Sequence, residues 1–197
     1  DTDRSRGLGD VYKRQLVLFG LVNTALHYFF FYLGVSNSPG GRASILDSLG
    51  TFLLILAAAV VFREKLTLRS IFGCLLGFSG IVLINLGSTA GQFTLSGDGM
   101  LLCSSVCAMA GGLLTRVVTR KMDPLVATGH SLALGGALLI PAGLLMGAHP
   151  VGVHLKGLLI LAALVAVSAV GFSFYNQLLR YHPVGQIATV SYTHLRA

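Results

Sequence analysis

Residues 44–85 read SILDSLGTFLLILAAAVVFREKLTLRSIFGCLLGFSGIVLIN. Two long apolar runs flank the short polar turn REKLT, Arg63 to Thr67. A helix needs about 20 apolar residues to cross a bilayer. Strands of a membrane barrel alternate apolar and polar residues, and neither run alternates. The stretch therefore reads as two membrane-spanning helices joined by a charged turn. Working outward, four more such runs appear. With the central pair, the expected spans are 16–35, 43–62, 68–87, 98–118, 125–147 and 156–179. A seventh begins at PVGQIAT, 183–189, and stops. The fold class expected is an all-α polytopic membrane protein of six transmembrane helices plus the stub of a seventh.

Composition agrees. The 197 residues are 54% hydrophobic and only 11% charged, with a mean hydropathy of +0.78. A soluble domain carries about a quarter charged residues. The formal charge of +7 does not point to nucleic acid, because no basic run interleaves with aromatics. Its carriers lie in the gaps between apolar runs. Successive connections fall on alternating sides of six spans. One side receives Arg63, Lys65, Arg69, Arg116, Arg120, Lys121 and Arg180; the other receives Arg42 and Lys156. The positive-inside rule puts the richer side in the cytoplasm, so the expected location is a plasma membrane (a bacterial inner membrane), basic loops inward.

Several motifs have structural readings. Gly73/Gly77 and Gly143/Gly147 are small-xxx-small pairs that let helices approach closely. Pro141, inside the fifth run, should kink it. Cys74, Cys103 and Cys107 lie in apolar runs, and the last two are one helical turn apart, which is neither a redox nor a zinc spacing. Asp98 in SGDG reads as a helix cap. There is no metal cluster or phosphate loop, so no cofactor is expected.

The quoted stretch, with its EKLT turn followed by G-x-x-x-G-x-x-G-I-V-L, resembles the end of an EamA repeat of the drug/metabolite transporter superfamily. GDGMLLCSSVCAMAGGLLTRVVTRKMDP, 97–124, looks like the opening helix of the next repeat. The resemblance covers 16–189. It implies a partial ten-helix, inverted-repeat (5+5) transporter fold. Residues 16–90 would be helices three to five of the first repeat, and 91–189 helices six to eight and the start of nine in the second. At an offset of 144 residues, Phe30-Phe31 meets Phe174-Tyr175, Pro39 meets Pro183 and Gly41 meets Gly185. The implied function is that of a carrier moving a small metabolite or drug-like solute by alternating access, inactive as given if truncated. Its partners would be that solute, the lipid bilayer and a coupling proton or ion.

Polar groups inside membrane helices are the default site candidates of such a carrier. Asn23 and His27 are four apart on one face. Ser44, Asp47, Ser48 and Thr51 form a stripe. His130 stands alone in the fifth run. Ser173, Asn176 and Gln177 share a face of the sixth. The substrate-binding set expected is Asn23, His27, Asp47, Ser48, Thr51, His130, Asn176 and Gln177, with the first, second and sixth helices facing one cavity. Asp47 also reads as an outer-interface residue, one turn past Arg42. If buried, it suits a proton-coupled site. Imidazole changes charge near neutral pH, so His27 suits one too. Glu64, between Arg63 and Lys65, reads as part of an interfacial charge cluster.

Two rivals belong to other classes. GFSG, 77–80, resembles the G-x-S-G of rhomboid intramembrane proteases, with Ser79 as nucleophile and His130 as base. Their depths differ by roughly 8–9 Å at 1.5 Å per residue, whereas nucleophile and base need about 3 Å. The other rival is a non-transporting membrane subunit. Finally, SRGLGDVYKRQ (5–15) and VSYTHLRA (190–197) can be written as complementary strands of one sequencing-adapter oligonucleotide. Both tails, 1–15 and 190–197, are therefore expected to be non-native. Nine basic against four acidic residues leave +5 over 16–189.

Overall fold

The computed structural model describes residues 14–63, 68–85, 92–147, 154–182 and 187. Most of both tails, Glu64 with the EKLT turn, and most of the 183–189 stub lie outside the described residues. The described chain forms six helices and no strand: α1 (Arg14–Asn37), α2 (Gly40–Val61), α3 (Leu68–Asn85), α4 (Leu95–Thr119), α5 (Pro124–Leu145) and α6 (Leu155–Tyr181). Five are long and apolar enough to cross a membrane. The sixth, α3, is shorter in apolar extent, spanning Ile71–Leu83. Its first turn carries Arg69 and Ser70, and Asn85 ends it.

The connections stop helices for local reasons. Between α1 and α2, Ser38 is extended and Pro39 precedes the first turn of α2. A residue before proline is disfavoured in the helical region. α5 begins with Pro124 behind Asp123, whose carboxylate accepts the backbone N–H groups of Leu125 (2.9 Å) and Val126 (3.3 Å). This is an N-cap followed by a pre-organised proline. α5 runs on through Pro141 and ends at Gly147, whose φ of 83° is the left-handed stop that glycine adopts without strain. The Gly143/Gly147 pair thus ends a helix, and a Cβ on Gly147 would meet nothing within 4 Å.

α4 is the centre of the bundle. It packs most extensively on α1, then on α2, and also touches α5 and α6. Its inner face is a ladder of small residues. A Cβ added to Gly112 would lie 2.6 Å from the Leu54 side chain of α2, and one on Gly50 of α2 would lie 3.2 Å from the Ser105 backbone. Lipid is as apolar as leucine, so such close contact, not exclusion from water, holds helices together in a bilayer. α1 also packs on α5, α3 rests on α2, and α6 leans on α5 and α4. The apolar stretch of α6 is almost wholly exposed, as are Leu144, Leu145, Phe72 and Leu76. These faces suit lipid or further helices. Ile187, the one described residue of the stub, is buried with Leu54, Ala58 and Leu179.

Two of the helices carry wide, π-type turns. One is Leu21–Leu26 within α1; the other, Leu95–Gly99, opens α4. Wide turns of this kind concentrate at functional positions, and each here places polar side chains among helices.

A polar cavity and an ion-pair clasp

A cavity of about 200 Å³ lies between five of the helices. From α1 come Asn23, Thr24, His27 and Tyr28; from α2, Gly50, Thr51 and Leu54; from α4, Ala108, Gly112 and Thr115. α5 supplies Thr128, Ser131 and Leu132, and α6 supplies Phe172, Tyr175 and Asn176. The lining is a ring of hydroxyl, amide and aromatic groups inside an otherwise apolar bundle.

The wide turn of α1 sets the first wall. The Asn23 amide donates to Ser131 Oγ at 3.2 Å, and the Thr24 and Ser131 hydroxyls lie 2.7 Å apart. Adjacent residues of α1 thus reach one serine of α5. Two glycines make the room: a Cβ on Gly135 would stand 2.3 Å from the Thr24 side chain, and one on Gly111 would stand 2.6 Å from Asn23 Oδ1. The opposite wall is held by the Asn176 amide, which donates to Thr128 Oγ1 at 2.6 Å; Thr128 in turn donates to the Pro124 carbonyl at 2.7 Å.

His27 is tied to α4. Its Nδ1 lies 3.2 Å from the Ser104 carbonyl and 3.0 Å from Ser104 Oγ, and that hydroxyl also reaches the His27 carbonyl at 3.2 Å. Nδ1 donates to the carbonyl in one tautomer and accepts from the hydroxyl in the other.

Four of the residues named from the sequence therefore meet around the cavity: Asn23, His27, Thr51 and Asn176. The other four stand outside its lining. Asp47 is exposed, within electrostatic reach of His27 and Tyr28. The Ser48 hydroxyl bonds the Ile45 carbonyl of its own helix at 2.7 Å. His130 is exposed, with Nδ1 3.1 Å from the Val126 carbonyl. Gln177 lies with Ser173 in a shallow groove formed with Leu125 of α5. Thr24, Tyr28, Thr115, Thr128, Ser131 and Tyr175 were not singled out from the sequence. Single hydroxyls in apolar runs usually bond their own backbone, as Thr115 and Thr128 do, which hides those that also line a cavity. Ser79 donates to Leu76 on its own helix at 2.8 Å, so Ser79 and His130 each engage a carbonyl one turn back and form no dyad.

A second polar cluster ties the α1–α2 connection to the start of α4. Asp98, reading as a simple cap in the sequence, is fully buried and paired with Arg42 at 2.7 Å. Its carboxylate also accepts from the Ser38 hydroxyl (2.6 Å) and the Thr94 backbone N–H (2.9 Å), while Arg42 donates to the Gln92 carbonyl (2.9 Å). The Thr94 N–H bond supplies one half of a capping box, the Thr94 side chain making no cap bond in return. At another end of the bundle, the buried Arg116 guanidinium lies over the Phe62 ring at 4.8 Å. The three cysteines are free thiols, and no metal-binding cluster occurs among the described residues.

Comparison with known proteins points in one direction. The profile of the EamA-like transporter family matches residues 3–86 and again 95–195. An uncharacterized transporter of Synechocystis is 28% identical over 154 residues, covering 68% of this chain and 46% of the relative. One from Archaeoglobus fulgidus is 25% identical over 122 residues, 62% and 43% of the two chains. A WAT1-related chloroplastic protein of Arabidopsis thaliana is 28% identical over 131 residues, 64% and 31%. The matched regions span less than half the length of these relatives. No solved structure matches the chain.

Proposed function

The chain belongs to the EamA-like transporter family, and from that premise we propose that it forms the solute-binding part of an integral membrane carrier. The carried solute occupies the cavity between α1, α2, α4, α5 and α6 and crosses by alternating access. The observation behind this reading is the polar ring itself. Asn23, His27, Thr51 and Asn176 sit with Thr128 and Ser131 around about 200 Å³ of space in the bundle. Polar side chains at membrane depth are costly unless they serve one another or a ligand.

The carrier lies in a plasma membrane with Arg116, Arg120, Lys121 and Arg180 toward the cytoplasm, as the charge asymmetry favours. Its 16–90 and 91–189 halves are parts of two inverted repeats. Proton coupling, where it operates, uses His27 on the cavity wall and Asp47 within its electrostatic reach.

The test is flux. The purified chain is reconstituted in proteoliposomes and presented with a panel of radiolabelled small solutes. At least one should enter saturably, and Asn23→Leu together with Asn176→Leu should remove the saturable component. Flux that never saturates, or that the double variant leaves intact, sinks the proposal.

A further inference from the structure

What the carrier moves can be narrowed from the cavity's chemistry, an inference that rests on the carrier reading. None of the lining residues is Asp, Glu, Lys or Arg. The buried ion pair of Arg42 and Asp98 is spent on its own clasp, and Arg116 lies over Phe62. A solute with a formal charge would shed its hydration and meet no opposite charge on the described walls. That penalty is large even after relaxation.

The hydrogen-bonding capacity left over both donates and accepts. Asn23 and Asn176 each use one amide N–H on a neighbouring helix, which leaves on each a second N–H and the carboxamide oxygen. His27 adds a ring to the lining that donates or accepts according to its tautomer. The Thr51 hydroxyl lines the cavity, and no hydrogen bond engages it among the described residues. At ~30 Å³ per water, the volume corresponds to about seven waters, or a solute of about seven to ten non-hydrogen atoms.

We propose that this cavity selects a small uncharged solute bearing several hydroxyl or amide groups, such as a short polyol or diamide, and rejects ions and zwitterions of the same size.

Four probes with a common four-carbon frame separate charge from size: erythritol (uncharged), threonine (zwitterionic), succinate (anionic) and putrescine (cationic). Malonamide serves as a second uncharged probe. Equilibrium binding is measured on the chain in lipid nanodiscs with each radiolabelled compound. Erythritol or malonamide should bind saturably, at least tenfold more tightly than any of the other three. Thr51→Val should weaken that binding about three- to tenfold, the loss expected for one hydrogen bond. It breaks no bond within the protein, so the melting profile should stay unchanged. Asn176→Leu should weaken binding further, though it also frees Thr128. Preferential binding of threonine, succinate or putrescine overturns the proposal and leaves the carrier reading standing. Binding of none of the five overturns both.

Discussion

Removing either member of the Arg42–Asp98 pair should destabilise the fold, but unequally. The Asp98 side chain is 0% exposed and that of Arg42 is 14% exposed, at a separation of 2.7 Å. In Arg42→Met the carboxylate stays buried with only the Ser38 hydroxyl and the Thr94 N–H to offset its charge. Breaking a buried pair in this way costs about 3–5 kcal/mol. In Asp98→Asn the guanidinium keeps the Gln92 carbonyl, and its long stem lets the head reach water. The carboxamide still accepts from Ser38 or Thr94, so the loss should be nearer 1–3 kcal/mol. The double variant Arg42→Met/Asp98→Asn buries no charge at this point. Its loss should fall short of the two single losses combined by roughly 1.5 kcal/mol or more. Reversible unfolding in mixed micelles, titrated with dodecyl sulfate and followed by helical circular dichroism, measures all three. Additive losses, or an Arg42→Met no worse than Asp98→Asn, would refute the claim that Asp98 is held as a buried, compensated charge.

Three further outcomes follow from the geometry. Gly135→Ala drives a Cβ to within 2.3 Å of the Thr24 side chain; overpacking of that kind costs about 1–3 kcal/mol, whereas Gly136→Ala, with nothing within 4 Å, should be neutral in the same unfolding assay. Asp47→Asn should flatten the pH dependence of solute flux while leaving binding at fixed pH near wild type, because Asp47 is outside the cavity lining; a variant that loses binding outright would move Asp47 into the site. In a background with Cys74, Cys103 and Cys107 replaced, a thiol at Lys121 should resist a membrane-impermeant maleimide added to intact cells and a thiol at Asn37 should react. The reverse pattern would invert the orientation drawn from the basic residues.

How much of this could be read without coordinates depends on which physical signal a residue carries. Helix existence was legible throughout, because twenty unbroken apolar residues have few other uses. The ends were legible where backbone chemistry forces them, as at Asp123-Pro124. Their extent drifted by up to three residues elsewhere; α4 starts at Leu95, before the expected 98, because its opening turn is wide and wraps Asp98 into an ion pair. Nothing local in SGDG announces that pair. Its partner Arg42 is 56 residues away, and a lone arginine in a loop reads first as a topology signal. The glycines misled similarly. Gly143/Gly147 has the spacing of a packing motif yet ends a helix. Gly111 and Gly135, which admit the wide turn of α1, belong to Gly-Gly pairs that look unremarkable in an apolar run.

The cavity residues divide by the same logic. Ser44, Ser48, Ser79 and Thr119 each donate to a carbonyl three or four residues back, so one hydroxyl satisfies itself on its own helix and says nothing about a site. A carboxamide has two donors on one atom and a strong acceptor on the other. Its own helix rarely satisfies both, so in lipid it must find another helix or a ligand. Asn23 and Asn176 do so, and they recruit Ser131 and Thr128, hydroxyls with no signal of their own. The amides were therefore the readable half of each contact, and the fifth helix entered the site through Thr128 and Ser131 flanking the conspicuous His130. Gln177 marks where the rule stops: its side chain is exposed in a groove with Ser173, one position along α6 from Asn176. A rotation of about 100° per residue is what separates a wall of the cavity from the outside of the bundle.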